Sequence, residues 1–141
     1  YFTGVSRESE NIIKDQNSNT INRSLKTLDA MHAMKKEAEK LKECLLTRDL
    51  DGVFKSMKVG WENKKASAAS VSNPEIDTAL EVAMSSGASA VKVSGAGGGG
   101  FIMLFVPVEL RFKVSENMKE LGGQILTAGF TDVGCQSWSI R

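Results

Sequence analysis

The sequence predicts an α+β domain of ferredoxin-like βαββαβ order, with additional helices in its first crossover. Three observations indicate this class. A short apolar segment at the start is followed by long stretches with apolar residues every three or four positions, as in amphipathic helices. Near residue 88 the pattern changes to alternation and then to a continuous apolar run, as in strands. One more helical stretch then precedes two strand-like segments, which completes the predicted order.

The first two helices are predicted from a polar break and an apolar stripe. A short helix covers residues 7 to about 16, and the polar residues 17–20 end it and cap the next helix. A long helix follows from Ile21. Its predicted core face repeats every three or four positions and consists of Ile21, Leu25, Leu28, Met31, Met34, Ala38, Leu41 and Leu45.

Three further helices are predicted from the residues at their ends. Asp49 has a side-chain acceptor suited to an N-cap. Asn73 is a second N-cap, because Pro74 fits the first helical position, where its missing N–H costs nothing. Gly87 ends that helix in the left-handed conformation. The last helix covers residues 109–121, where two glycines stop it.

Strands are predicted at the start of the chain and in its second half. Residues 1–3 resemble the end of an apolar strand. Residues 90–94 alternate, and residues 101–106 form the continuous apolar run that is typical of a buried strand. Residues 124–131 and 135–140 are predicted as the final strands, on either side of a turn.

Composition and charge exclude several classes of function. The 141 residues carry a net charge of +1, with basic and acidic residues interspersed, so no broad field attracts nucleic acid. The longest apolar run, residues 101–106, is far shorter than the roughly 20 residues of a membrane span. Cys44 and Cys135 are isolated, which predicts neither a disulfide framework nor a metal site. We expect both to be reduced core residues of a cytoplasmic protein.

The most informative segment is the glycine run at residues 95–100. Five glycines in six positions carry an entropy cost that a plain turn does not need. Such a run is expected where the backbone approaches another group closely or adopts positive φ repeatedly. A P-loop is excluded, because Phe101 and Ile102 follow where that loop has Lys and Ser or Thr. The spacing also fits a dinucleotide fingerprint, but that motif opens a helix, and here a strand follows.

Two interpretations of the glycine run remain open from the residues alone. It connects two strands and presents backbone amides to an anion or to another backbone. Alternatively, it is a tight, mobile hairpin without a ligand, since glycine runs often only turn a chain.

The segment resembles the third motif of the GHMP kinases, Lys-x-Ser/Thr-Gly-Ala-Gly-Gly-Gly-Gly between two strands and after an Asn-Pro helix. In that family the loop lies against the active-site cleft, beside the phosphates of ATP and the phosphoryl acceptor. Phe101 replaces the small residue that several members have after the glycines. The resemblance implies phosphate- or substrate-binding roles for the matching residues Lys92, Ser94, Gly95, Ala96, Gly97, Gly98, Gly99 and Gly100.

Residues 3–9 are similar to the segment that opens the carboxyl-terminal domain in several GHMP kinases. The resemblance implies that Arg7 and Ser9 lie at the cleft. There the planar guanidinium of Arg7 is suited to hold a phosphate, and Ser9 adds a hydroxyl. The residues alone also permit Ser6 and Ser9 to be helix caps and Arg7 to be solvated, and this alternative stays open.

Further segments resemble the heptose kinase branch of the family, namely residues 28–32, 60–65 and 72–77. This resemblance implies ATP-dependent phosphorylation of the anomeric hydroxyl of D-glycero-D-manno-heptose 7-phosphate, giving the 1,7-bisphosphate for surface polysaccharide biosynthesis. In the family, the main ATP-phosphate loop, the catalytic Asp and the Mg²⁺ ligands belong to the amino-terminal domain. Residues 1–141 are therefore expected to be the carboxyl-terminal domain of a longer two-domain kinase, without that domain and inactive alone.

The resemblance predicts no catalytic residue and no metal ligand in this chain. Its expected partners are a small sugar phosphate, ATP and its own amino-terminal domain, without nucleic acid or membrane, and a homodimer is left open. The alternative from another class is a standalone regulatory module of ferredoxin-like fold that binds a small ligand.

Five other side chains bear on the site or the core. His32 is the only histidine, and no neighbour in sequence would orient it, so we expect a structural or surface role. Lys64 and Lys65 follow Trp61 on a predicted helix and are left open between contact with a sugar phosphate and a solvated helix end. Trp61 and Trp138 are expected in the core or at a domain contact.

Overall fold

The structure is a computed structural model that describes residues 1–5 and 9–139. The described residues form an α+β domain, which confirms the predicted class. Its helices are α1 (Ser9–Ile21), α2 (Leu25–Thr47), α3 (Leu50–Ser67), α4 (Pro74–Ser86) and α5 (Arg111–Lys119), and its strands are β1 (Ala90–Val93) and β2 (Ile102–Phe105). Short 3-10 turns at Ala69–Val71 and Val108–Leu110 precede α4 and α5.

The break between α1 and α2 lies later than the sequence predicts. Residues 17–20 continue α1 instead of ending it, and Ser24 is the N-cap of α2, accepting from the Thr27 amide at 3.4 Å. The polar residues stay helical because their side chains find partners in the fold. Asn19, for example, donates through Nδ2 to the Ser67 carbonyl at the end of α3, at 3.1 Å.

The predicted core face of α2 is wrong in part. Leu25 is 77% exposed and Leu45 is 56% exposed, whereas the buried residues of α2 are Thr27, Ala30 and Cys44. The physical reason is the close packing of α2 on α3, which small side chains permit. The Thr27 hydroxyl lies near enough to α3 to donate to the Ser67 carbonyl at 3.3 Å.

The predicted ends of α3 and α4 are confirmed. Asp49 accepts from the Gly52 amide at 2.9 Å and caps α3. Asn73 accepts from the Ile76 amide at 2.9 Å and caps α4, and Gly87 ends that helix with φ +119°.

The antiparallel pair of β1 and β2 has a different neighbour on each face. Val93 and Ile102 pair across the strands and enter the main core with buried residues of α4 and α5. Ala90 and Phe105 pair on the opposite face and pack with Val53 and other residues of α2 and α3. The sheet is therefore covered by helices on both sides.

The start of the chain extends this sheet beyond β2. Phe2 bridges to both Phe101 and Gln124, and the Tyr1 nitrogen donates to the Ile102 carbonyl at 2.8 Å. Lateral order is thus Gln124, the amino-terminal segment, β2 and β1. This places the first strand-like segment between the third and the fourth, as a split βαβ arrangement requires.

The predicted strands at residues 124–131 and 135–140 are wrong for the described residues. Only Gln124 pairs, and residues 125–139 have no regular structure. The reason is a lack of packing partners among the described residues. Leu126 is 55% exposed and Phe130 is 98% exposed, so the segment buries little apolar surface to offset the cost of ordering its backbone.

The same segment carries Cys135, which was expected in the core, and Trp138, which was expected in the core or at a domain contact. Cys44 and Trp61 are buried as expected. Cys135 and Trp138 are exposed, because within the described residues their segment pairs with no strand, so both core placements are wrong. A domain contact for Trp138 stays a prediction.

Candidate functional site

Residues 95–100, the glycine loop, connect β1 to β2. Contacts on two sides fix this loop. The Gly98 amide donates to the Val71 carbonyl at 2.8 Å, and the Gly98 carbonyl accepts from Asn73 Nδ2 at 3.1 Å. On the other side, the Gly100 amide donates to the Val5 carbonyl at 2.7 Å and to Thr3 Oγ1 at 3.1 Å. The loop is therefore held along its length, unlike a hairpin anchored only at its base.

Close approach and positive φ, the two reasons the sequence offered for so many glycines, are both confirmed. All five glycines of the loop have positive φ. Gly97 has φ +117°, and a Cβ at its position would lie 2.5 Å from the Val71 carbonyl oxygen. A side chain at this position would therefore collide with the backbone before α4.

A cavity of about 230 Å³ opens beside the loop. Its lining residues are Ser9, Ser94, Gly95, Ala96, Gly97, Gly99, Gly100 and Phe101. Within the described residues, the loop N–H groups without an acceptor are those of Gly95, Ala96 and Gly99. Unpaired backbone amides around a concave surface favour an anion.

The two hydroxyl residues predicted for the site, Ser9 and Ser94, lie together at this cavity. Ser9 is the first residue of α1, so the first turn of a 13-residue helix lies beside the glycine loop. Ser94 closes the base of the loop, where its amide donates to the Phe101 carbonyl at 2.8 Å. The centroid of the Phe101 ring lies 5.0 Å from the centroid of the Phe2 ring. Arg7, also predicted for the site, lies outside the described residues.

Lys64 reaches the glycine loop from the last turn of α3. Its ammonium group donates to the Gly95 carbonyl. Burial, and then the positive charge of Lys92, lower the pKa of Lys64 below its ordinary value. The sequence left this lysine open between contact with a sugar phosphate and a solvated helix end, and no local signal separates it from Lys65.

Lys65 lies in a different environment from its neighbour. It forms an ion pair with Glu62 at 3.2 Å, and its ammonium group lies 6.0 Å from the centroid of the Trp61 ring. Of the two lysines that the sequence could not separate, Lys64 contacts the loop and Lys65 binds a carboxylate.

Asn73 has a second role that sequence reasoning missed. As an N-cap it was expected to serve α4 alone, yet its amide also holds the Gly98 carbonyl. The capping pattern gave no signal for this contact, because it depends on how the turn before α4 meets the loop.

No acidic side chain is among the described residues that line the cavity, and the described ranges hold no cluster of three or more His, Cys, Asp or Glu that could bind a metal. His32 is exposed on α2, as expected of a surface role. No helix within residues 1–5 and 9–139 is long and apolar enough to cross a membrane.

The sequence and this geometry define a class of protein. Residues 34–123, more than half of the chain, match the family described as GHMP kinases C terminal. The chain belongs to this family, which confirms the resemblance of its glycine loop.

Among characterised relatives, it is 33% identical over 140 residues to D-glycero-alpha-D-manno-heptose 7-phosphate kinase of Campylobacter jejuni subsp. jejuni. The match covers 99% of this chain and 41% of that protein. The chain thus spans about two fifths of the length of the relative it matches.

Two solved structures share the fold. Mevalonate kinase of L. major, in complex with R-mevalonate, aligns with a TM-score of 0.75 at 18% identity, over 84% of this chain and 36% of that one. Phosphomevalonate kinase of Streptococcus pneumoniae, in complex with phosphomevalonate and AMPPNP, aligns with a TM-score of 0.74 at 19% identity, over 89% and 36%. Both are GHMP kinases, so the fold agrees with the family.

Proposed function

We propose that this chain is the carboxyl-terminal domain of a longer two-domain kinase that phosphorylates the anomeric hydroxyl of D-glycero-D-manno-heptose 7-phosphate, giving the 1,7-bisphosphate. One observation carries the proposal: a glycine loop fixed from two sides, with several unpaired amides at a cavity, in a chain 33% identical to a heptose 7-phosphate kinase. Its share of the length of that relative supports a domain of a larger enzyme over a standalone regulatory module.

The proposed role of the domain is to bind and position phosphate groups. Phosphoryl transfer depends mostly on positioning and on stabilising negative charge. The amides of the glycine loop, the hydroxyls of Ser9 and Ser94 and the charge of Lys92 are suited to that task. We assign no catalytic base here, because the cavity has no carboxylate among its described lining residues.

ATP and Mg²⁺ are proposed to be held mainly by the amino-terminal domain. The groups at the cavity are amides and hydroxyls, which suit an anion better than a bare cation. ATP would supply the transferred phosphoryl group, and this chain would form one wall of the cleft around it. We further propose a cytoplasmic enzyme acting in surface polysaccharide biosynthesis; a homodimer is left open.

The test compares two proteins, the complete gene product that contains this chain and the 141-residue chain itself. Each is assayed with ATP, Mg²⁺ and heptose 7-phosphate by coupled release of ADP, and the product is identified by ³¹P NMR. We expect the complete protein to form an anomeric phosphate and the 141-residue chain to give no turnover. Turnover by the short chain would contradict its role as an incomplete domain.

Mevalonate serves as the matched control substrate, because a mevalonate kinase shares the fold. We expect no reaction with it. Phosphorylation of mevalonate but not of heptose 7-phosphate by the complete protein would refute the assignment as a sugar kinase, and the family would still be correct.

A further inference from the structure

Two lysines, Lys64 and Lys92, approach the glycine loop from the same side. Ala90 and Lys92 lie on one face of β1, since residues two apart in a strand share a face. Ala90 packs with Val53 and Met57 of α3, so this face is the one covered by α3. Lys64 lies in the last turn of α3 and donates to the carbonyl of Gly95, three residues after Lys92.

Among residues 1–5 and 9–139, no carboxylate forms an ion pair with either lysine. In the described part of the chain, the ion pairs that form are Lys14–Glu10, Lys65–Glu62 and Lys119–Glu116, and none involves Lys64 or Lys92. Lys64 is also only partly exposed, which makes an unpaired ammonium group more costly than at the surface. Burial and the charge of Lys92 both lower its pKa, in agreement with two cations held close together.

Two cations on the same side of a loop, with no described carboxylate paired to either, are suited to bind a dianion. A phosphate monoester carries a charge of about −1.5 to −2 near neutral pH and has three acceptor oxygens. An ammonium group has three donors, so Lys64 can keep its bond to the Gly95 carbonyl and still donate to a phosphate. Binding at Lys64 would then fix the ligand relative to the glycine loop.

We propose that Lys64 and Lys92 bind a phosphate group that the phosphoryl acceptor already carries, with Lys64 as the residue that ties this phosphate to the loop. The unpaired amides of Ala96 and Gly99 remain for the phosphoryl group in transfer. The pair would thereby select phosphorylated sugars over free ones. The anion site stands on the geometry of this chain, whereas the identity of the acceptor rests on the proposed function.

The first experiment tests the anion site without any assay of activity. The 141-residue chain is titrated with inorganic phosphate, and the amide signals of the glycine loop and the lysine side-chain signals are followed by NMR. We expect Lys64→Met to weaken phosphate binding at least about tenfold, because a charge-assisted hydrogen bond is lost. Lys65→Met is the matched control and should change the affinity by less than about twofold, since Lys65 is paired with Glu62.

Thermal unfolding followed by circular dichroism verifies that each variant is folded before it is titrated. Equal affinity of the wild type and Lys64→Met, or equal weakening by Lys64→Met and Lys65→Met, would overturn the site. The second result would show a general effect of charge and no specific contact.

The second experiment separates the two sources of a phosphate, the sugar and the nucleotide. The complete protein and its Lys64→Met variant are titrated with heptose 7-phosphate, unphosphorylated heptose and AMPPNP. We expect the variant to bind heptose 7-phosphate at least about tenfold more weakly and to bind the other two ligands within about twofold. Weakening confined to AMPPNP would assign the lysines to the nucleotide and overturn the acceptor site.

The failure of this inference is distinguishable from the failure of the proposed function. If the protein binds inorganic phosphate through Lys64 but does not turn over heptose 7-phosphate, the anion site is supported and the proposed substrate is refuted. If the protein phosphorylates heptose 7-phosphate and Lys64→Met has the same Michaelis constant for it as the wild type, the proposed function is supported and the acceptor-phosphate site is refuted.

Discussion

The glycine loop and the carboxyl-terminal segment, residues 125–139, both have irregular backbone and both contain glycine. They differ in how many hydrogen bonds and packing contacts hold that backbone. In the loop, Gly97 and Gly98 are buried, and the neighbouring Val71 and Asn73 hold Gly98. In the segment, Gly129 and Gly134 have nothing within 4 Å of where a Cβ would lie. Phe130 in the same segment is 98% exposed.

The difference shows that irregular backbone becomes specific only where the surrounding fold determines it. The five glycines lose more conformational entropy on ordering than other residues would, and their conformation persists because Thr3, Val5, Val71, Asn73 and Lys64 surround the loop with partners. The segment has few such partners in the described chain, Arg111 to Thr127 at 3.1 Å being one.

The largest expected effect comes from a side chain at Gly97, because the backbone of Val71 leaves no room for one. Gly97→Ala should lower the free energy of unfolding by about 3 kcal/mol, because a Cβ meets the Val71 carbonyl and φ is positive. Gly95→Ala is the control, with positive φ but open space, and should cost about 1 kcal/mol. Urea unfolding measures both, and equal losses would show that the contact with Val71 does not constrain the loop.

A smaller effect should follow the loss of the side chain that joins α4 to the loop. Asn73→Ala should cost about 2 kcal/mol, since it removes an N-cap and a hydrogen bond to Gly98 together. Asp49→Ala removes the cap of α3 without a contact to the loop and should cost about 1 kcal/mol. The loop amide signals should move only in the first variant; movement in both would mean that the loop responds to stability alone.

The charge of Lys92 should be measurable at Lys64. Lys92→Met should raise the pKa of Lys64 and leave it below the ordinary value of 10.5, because burial is the larger cause of the shift and remains. Since the folded pKa is the lower one, a charged Lys64 costs stability below that pKa, and the cost disappears as the pH rises towards the ordinary value. Any gain in stability of Lys92→Met should therefore be present at pH 7 and vanish in strongly alkaline solution.

A titration of the side-chain ¹³Cε signal of Lys64 gives this pKa directly. An unchanged pKa in Lys92→Met would show that the two charges are too far apart to share a ligand.

The smallest effect is expected in the carboxyl-terminal segment. Phe130→Ser and Trp138→Ser should each change the free energy of unfolding by less than about 0.5 kcal/mol, because both rings are exposed. In limited proteolysis, residues 125–139 should be cut earlier in the time course than the glycine loop. A loss above about 1 kcal/mol in either variant would reveal packing of this segment and remove the contrast with the loop.

The sequence by itself determined the elements whose signals are local. The N-caps Asp49 and Asn73, the C-cap Gly87 and the two strands around the glycine run were predictable, because each depends on residues a few positions apart. The family was predictable for the same reason, since its motif is a contiguous run.

Tertiary structure decided what depends on distant partners. The polar residues 17–20 stay helical because α3 supplies an acceptor. The predicted final strands do not form because, among the described residues, Leu126 and Phe130 find little to pack against. Lys64 and Lys65 are equivalent in sequence, and only the packing of α3 on β1 places one at the glycine loop and leaves the other with Glu62. Which residues belong to the candidate site therefore depends on contacts between residues far apart in sequence, and no local pattern encodes such contacts.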